Sequence, residues 1–469
     1  MMTNDMQPYQ DALAGVTKEL LAGSPLAQYT EFYAEHADLL RQHSAPQLRL
    51  QPQASWAAYL QRFPTAAYRE AFRYTDALKA LAPEYALNPT RRLLQAEPYR
   101  RYRCGAKQLG ADVLYVVNDV VAMPPAPLSL PEGAYAGALS AWTDAERFAQ
   151  CFAQQNASPA SDDPAWLVND LLAQDAVVVY VPDGVKLTRP LQIVGMSDAT
   201  DPLMSNRRLY VYLGRKAQAT LVMCDHAMGQ TPYLTTQTAR LVLSAGSHLE
   251  YYSLEETSAQ TTRLLNLHAQ QAAGSTFVSN FVTLRCGLSR NTVRVVQAGD
   301  DCLTEVSGAL IADSAEHADT HVTVEHGPMR GGQSDLLFKQ AVGGTATGAF
   351  TGVVDVRPGA AQVESQQQCQ NMLLSDTAHV FARPVLKIYA DDVKCSHGTT
   401  TGKFDAAALF YMQQRGISEA EAKLLLQHAF IYDALRRIRL EPLRSRLSVL
   451  AERRMRGGCD TCEACGESK

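Results

Sequence analysis

Val177-Val178-Val179-Tyr180-Val181-Pro182-Asp183-Gly184 sets five strand-forming residues against a turn signal. An unbroken apolar run of this length reads as a strand buried on both faces, and Pro-Asp-Gly closes it. Similar runs recur at Leu209 to Leu213, Ala239 to Leu243, Phe277 to Leu284 and Val353 to Val356. From Ala176 to about Lys394 no helical period interrupts them. Small-residue turns at Ala245-Gly246-Ser247, Ala273-Gly274-Ser275 and Ala298-Gly299-Asp300 fall 28 and 25 residues apart. A repeat of about 25 to 30 residues is that of a β-solenoid coil. A β-sandwich competes, but it calls for hairpin turns every 8 to 12 residues or so.

The flanks read differently. Before the strands, Leu20-Leu21, Phe32-Tyr33, Leu39-Leu40 and Tyr59-Leu60 carry helical spacings, punctuated by Pro64 and Pro83. Val113 to Val117 is a short strand run, followed by a Pro-rich stretch at Pro124, Pro125, Pro127 and Pro131. Trp166, Leu167, Leu171 and Leu172 predict one more amphipathic helix. After the strands, Asp405 is a good N-cap and Gly416 a good stop, and Ser418 with Glu421 forms a capping box. The next helix is expected to bury Ala422, Leu425, Leu426, Ala429 and Phe430. Pro442 opens a third, with Leu443, Leu447 and Leu450 on one side and a basic face opposite. The division expected is 1–165 helical with short strands, 166–402 solenoid core, 403–456 helical and 457–469 a Cys-rich tail.

Composition narrows the class. With 46% hydrophobic residues in 469, a large core is available, and a net charge of -5 favours neither a nucleic acid nor an anionic membrane as partner. Met1 to Gly15 has no apolar signal-like stretch, and no run of about 18 apolar residues occurs, so a cytoplasmic protein is expected. Ten cysteines then point to reduced thiols, with metal or sulfur chemistry ahead of a disulfide framework.

Three motifs bear on chemistry. Gly398-Thr399-Thr400-Thr401-Gly402-Lys403-Phe404 imitates a phosphate loop, but that loop needs four residues between its glycines and a Ser or Thr after the lysine. A glycine-hinged turn into the Asp405 cap is expected instead, with no nucleotide bound directly. Cys395 and His397, two apart, share a face if extended, yet two ligands cannot close a tetrahedral metal site. Either further ligands come from elsewhere, or the pair is a buried thiol beside a hydrogen-bonded histidine. Cys459, Cys462 and Cys465 have the spacing that begins a bacterial iron-sulfur ligand run without its fourth cysteine, a candidate metal or cluster site or else an oxidation-prone tail. His317, His321 and His326 match no ligand spacing and read as structural. No GxSxG elbow or HExxH pair occurs.

Asn371 to Ser375, Ala390-Asp391-Asp392-Val393-Lys394-Cys395-Ser396-His397-Gly398, Leu409-Phe410-Tyr411, Arg415-Gly416-Ile417 and Ala429-Phe430 closely resemble the SufB/SufD family of iron-sulfur cluster assembly proteins. The Cys-Ser-His-Gly form, in place of the glutamate-containing version typical of SufB, resembles the SufD side of that family. Trp166 to Asn169, Val181 to Gly184 and Pro190 to Ile193 are similar to the entry of its core, and Phe72 to Thr75 to part of its helical N-terminal segment.

The resemblance implies a mainly β protein: a right-handed parallel β-helix flanked by helical N- and C-terminal domains. It implies a non-catalytic scaffold subunit of a SufBCD-type complex. That subunit would pair with a SufB-like paralogue through the end of the β-helix, or form a homodimer in isolation. It would also dock a SufC-like ABC-type ATPase through helices bearing Phe410, Tyr411, Arg415, Leu425 and Phe430. His397, with Cys395 beside it, would hold a transient iron-sulfur cluster shared with the partner. Two departures stand out: Lys387 replaces a usual glutamate, and the terminal cysteines lie outside the family core. The alternatives are a purely structural stabiliser of SufB, or a β-helix carbohydrate-active enzyme, which would need paired carboxylates or a calcium-assisted base that the strand region does not show.

Overall fold

A computed structural model describes residues 23–48, 66–93, 106–122, 126–156 and 163–458. Leu20, Leu21, Tyr59, Leu60, Pro64, Pro124, Pro125, Cys459, Cys462 and Cys465 lie outside the described residues. Two sheets run side by side along the molecule. One holds, in spatial order, β2 (Val120–Ala122), β1 (Asp112–Val117), β5 (Leu191–Ser197), β7 (Gln218–Ala227), β9 (His248–Glu256), β11 (Thr276–Arg285), β13 (Leu303–Ala312), β15 (Gln333–Val342), β17 (Val363–Leu373) and β19 (Val393–Gly402). The other holds β3 (Tyr135–Ala138), β4 (Val177–Val181), β6 (Leu203–Leu213), β8 (Tyr233–Leu243), β10 (Thr261–Gln271), β12 (Leu288–Gln297), β14 (His317–His326), β16 (Thr347–Val356) and β18 (His379–Ile388). From β4 to β19 the chain alternates between sheets and each strand pairs in parallel with the strand two places on, which makes a solenoid of about eight turns. β1 to β3 fall in the stretch expected to be helical with short strands; they join these sheets, and β2 and β3 pair antiparallel to their neighbours.

The period comes from what each coil must bury. Inward residues of successive coils stack into one core: Val211, Leu241, Leu267, Val295 and Val324 lie on neighbouring strands of one sheet and are all within 2% of full burial. At one corner each coil turns on a left-handed residue: Gly184, Lys216, Gly246, Gly274, Asp301, Gly331 and Gln362, with φ between 55° and 74°. The amide of each donates to a carbonyl of the next coil at 2.6 to 3.1 Å, as Gly246 does to Ala273 and Gly274 to Asp300. The turns expected at Gly246 and Gly274 are therefore present. At the third, the left-handed residue is Asp301, and Gly299 serves close packing: a Cβ there would lie 2.3 Å from the Ala273 nitrogen.

One interior tier is ionic. Arg207 Nη1 pairs with Asp225 at 3.0 Å, and Arg263 bridges Asp225 at 2.8 Å and Glu255 at 3.4 Å, all nearly sealed from solvent. Burial pushes the Asp225 carboxyl up, but Arg263 and Arg207 outweigh it and leave it below its ordinary value. Glu255 is pushed up to about 6 by burial, with Arg263 opposing.

Helices sit outside the sheets. α1 (Ala27–His43) carries Phe32, Tyr33, Leu39 and Leu40 as expected. The helix expected around Trp166 is α2 (Pro164–Leu172), but it is buried all round rather than amphipathic. It lies under α1 and over β6, β8 and β10, so even its polar side chains are enclosed: Asn169 bonds the Arg207 carbonyl and Arg208 Nε, and Asp170 pairs with Arg208. Three helices follow the solenoid: α3 (Ala406–Gln414), α4 (Glu419–Leu435) and α5 (Glu441–Met455). Asp405 caps α3 through the Ala407 amide at 2.9 Å, and Ser418 caps α4 through the Glu421 amide at 3.3 Å. The Glu421 side chain does not complete the box; it pairs with Arg456.

The face assigned to α4 is corrected. It buries Ala422, Leu424, Gln427, Ile431, Ala434 and Leu435, while Leu425 and Ala429 face solvent. Leu424, Leu425 and Leu426 are consecutive, so hydrophobicity alone fits either stripe. Ion pairs select one: Lys339 to Asp433 at 3.0 Å, Arg437 to Asp335 at 2.5 Å, Arg439 to Glu305 at 2.8 Å and, from α5, Arg454 to Glu316 at 2.7 Å. Gly398 to Gly402, expected as a turn, is the second half of β19. Its backbone ladder with β17 suffices to make it a strand without buried side chains.

Two outcomes follow from the fold. Replacing Gly274 with Ala should lower stability by about 1 kcal/mol, and replacing Lys216 with Gly should raise it by up to about that amount, read as opposite shifts of a urea midpoint. Burial holds His268, His321 and His326 down at about 4, from 6.5 when exposed. Their stabilisation is complete above pH 6.5 and is lost as pH falls toward 4, because only the unfolded chain takes the proton. For the sealed His326 this is on the order of 3 kcal/mol. Asp119 and Glu255, both raised to about 6, act oppositely, as do Asp163 and Glu316, while His317, lowered by burial, and the lowered Asp225, Glu250 and Glu325 add to the loss. Urea titrations at pH 7 and pH 4.5 should show the net loss, and His326→Gln should flatten it by about one proton.

Candidate functional site at the open end of the solenoid

The solenoid is blunted at its start by the short antiparallel β2 and β3, and ends on β18 and β19 with no further strand beyond them among the described residues. These last two strands are ten residues each and have one unpaired side. Such edges are templates for another chain. In the coil before, Val363, Ser365, Gln367 and Cys369 point inward and are buried; their register partners Val393, Cys395, His397 and Thr399 occupy the same column with no coil beyond. Hence Cys395 is half-buried and His397 exposed, although both belong to the inward face.

Cys395 packs beside Val354, Val356, Val363 and Leu386, and burial pushes its thiol above the ordinary value. Metal ligation needs the thiolate, so this sulfur requires an incoming cation to displace its proton. His397 has an open ring on a strand that Gly398 leaves clear, since a Cβ there would meet nothing within 4 Å. Successive same-face residues on a strand are about 7 Å apart, so the two side chains form one wall of a site and not a closed cage. Among the described residues no group of three His, Cys, Asp or Glu side chains is arranged to hold a metal ion. His317 and His321 flank Asp319 on one strand face, but the Arg290 guanidinium occupies that face and pairs with Asp319.

β18 contributes features that sequence reading missed. Phe381 (41% exposed), Ile388 (41%) and Tyr389 (59%) stand open beside the edge. His379 and Tyr389 both send their amides to β16, at 3.0 and 2.9 Å from the Ala346 and Val356 carbonyls. Alternation therefore turns the even-numbered positions, Pro384 among them, toward the open side. A proline lacks the amide that a new strand would use, and its place in the middle of a strand-like run was the available signal of an edge. Of the residues expected to meet a second partner, Phe410 (62% exposed), Tyr411 (60%) and Leu425 (44%) are free on the surface, and Arg415 lies over the Tyr411 ring at 5.2 Å. Phe430 is turned onto the solenoid beneath Lys339 Nζ, 4.6 Å away. No residue of α3 is buried.

Residues 195–430 match the core domain of SufBD proteins of the SUF system for FeS cluster assembly, and residues 24–193 match the SufBD N-terminal region. The chain belongs to the SufB/SufD family. It is 29% identical over 283 residues to a SufBD family iron-sulfur cluster assembly protein of Synechocystis, covering 58% of this chain and 62% of that one. It is 24% identical over 295 residues to the iron-sulfur cluster assembly protein SufD of Escherichia coli, covering 62% and 69%. With SufD of Bacillus subtilis it shares 22% over 290 residues, covering 61% and 65%. The chain thus spans about two thirds of the length of the curated relatives it matches. The matched core of this SufB/SufD chain includes β19 and reaches into α4 but stops before α5 and the three terminal cysteines.

In the isolated chain, peptide mapping after brief alkylation should find Cys395 modified and Cys224, Cys286, Cys302 and Cys369 protected. Modification of Cys395 should be slow at pH 7 and rise steeply above pH 9, as its raised thiol requires.

Proposed function

We propose that this chain is a SufD-like, non-catalytic subunit of a cytoplasmic complex that assembles iron-sulfur clusters. The observation that carries the reading is an uncapped terminal coil that brings Cys395 and His397 to the rim of a sheet edge. A SufB-like paralogue pairs end to end with this coil and supplies the ligands that one wall cannot. Imidazole and thiolate are suitable donors to iron, and a site split between subunits can release its cargo. The cluster is the product in transit, not a resident group. His397, exposed, is the principal donor from this side; Cys395 joins when iron displaces its proton. A SufC-like ABC-type ATPase docks on the surface formed by Phe410, Tyr411, Arg415 and Leu425, with Phe430 beneath holding α4 to the solenoid. Aromatic side chains exposed to this extent beside an arginine are the usual anchors of protein interfaces.

Co-expression with SufB-like and SufC-like partners, followed by anaerobic assay of iron and sulfide, tests this reading. His397→Ala should reduce cluster loading at least tenfold, and Cys395→Ser by less, with the complex intact by size-exclusion chromatography. Normal loading in the doubly substituted complex would reduce the chain to a structural stabiliser of its partner. Phe410→Ala with Tyr411→Ala should release the ATPase while leaving the end-to-end pair assembled.

A further inference from the structure

A stretch of the N-terminal region lies across the outer face of the nine-stranded sheet and ends on β18. Its anchor is Arg290 on β12, 2% exposed. The guanidinium pairs with Asp319 on β14, donates to the Ala71 carbonyl at 2.8 Å, and lies over the Phe72 ring at 4.7 Å. Thr75, 3% exposed, donates its hydroxyl proton to Asp319 at 2.8 Å. That single proton being used, its oxygen accepts from His317 Nε2, also at 2.8 Å. From this fixed point Tyr74 stacks on Phe381 with centroids 4.7 Å apart, and Glu70 pairs with Arg383. Phe381 and Arg383 are outward residues of β18.

The register explains the path. Arg290, Asp319, Ala349 and Phe381 lie side by side on β12, β14, β16 and β18. Ala349 is the small member, and between the Asp319 anchor and Phe381 it presents nothing for the crossing chain to clear. Three strand spacings, about 14 Å, are bridged. β18 needs such support more than any inner strand, because it is paired on one side only and Pro384 breaks its row of open amides. An edge strand that frays must be ordered again when a partner binds, at a cost in affinity.

We propose that residues Glu70 to Thr75 form a brace, fixed by Arg290 and Asp319, that holds β18 in place so that the end of the solenoid meets its partner preorganised. This rests on the end-to-end pairing proposed above. The brace makes Tyr74 and Glu70 positioning residues for assembly, although they precede the strand they steady by some three hundred residues.

Arg290 is unsuitable for a test, since its loss strands a buried carboxylate and threatens the fold. The doubly substituted Tyr74→Ala, Glu70→Ala chain removes only the contacts with β18. Hydrogen exchange of the isolated chain should show β18 amides exchanging at least tenfold faster, with β12 and β14 unchanged. Association with the SufB-like partner should weaken at least tenfold. Lys79→Ala, exposed beyond the brace, should change neither quantity. Unchanged exchange in β18, faster exchange without weaker association, or an equal effect from Lys79→Ala would each overturn the brace. Should the unsubstituted chain fail to pair with the partner at all, the proposed pairing falls, while exchange in β18 still decides whether the brace steadies that strand.

Discussion

A coil of this solenoid can bury its inward face only against the coils before and after it. Val211, Leu241 and Leu267 are sealed because each has a neighbour above and below. The same rule applied to the last coil leaves Cys395 and His397 with a neighbour on one side only. The site proposed for the cluster thus lies where the repeat has to stop. No special fold is needed to bring a thiol and an imidazole to the rim, since an unfinished stack exposes whatever stands there.

The remaining architecture holds together the stack that leads to that unfinished end. The left-handed corner from Gly184 to Gln362 keeps coils in register by backbone bonds that do not depend on side-chain identity, which is why lysine, aspartate and glutamine can occupy places otherwise held by glycine. Inside, the Arg207, Asp225, Arg263 and Glu255 tier matches charge to charge across coils, where a slip of one residue would strand a buried ion. Outside, four ion pairs fasten α4 and α5 to the ten-stranded sheet, while α3, between them and β19, is left without a buried residue.

The solenoid was legible because stacking forces an apolar inward set to recur with the coil length, so runs such as Val177 to Val181 repeat. β19 escaped as a full strand because Gly398 to Gly402 is held by backbone pairing and has no inward burial to pattern it. The buried face of α4 was ambiguous for the opposite reason: Leu424 to Leu426 makes it apolar in several directions, and the ion pairs that choose one face join residues about a hundred positions apart. Trp166 to Leu172 looked one-sided because Asn169 and Asp170 are polar, yet both are satisfied by Arg208. That Cys395 and His397 share one strand face was readable from their spacing, whereas Thr75 meets Asp319 across 244 positions and leaves no local trace.

The two ends of the solenoid are unlike: β2 and β3 close one with strands of three and four residues, and only the other offers long edges, one of them interrupted by Pro384. Head-to-tail stacking would need an acceptor at the blunted end, where among the described residues only these short strands stand. The end-to-end pairing proposed above would use the one long-edged end that this chain offers, so stacking would not continue through it. A surface that in a symmetric rod would nucleate fibres would on that pairing be self-terminating, so an exposed sheet edge could persist without becoming a seed for polymerisation.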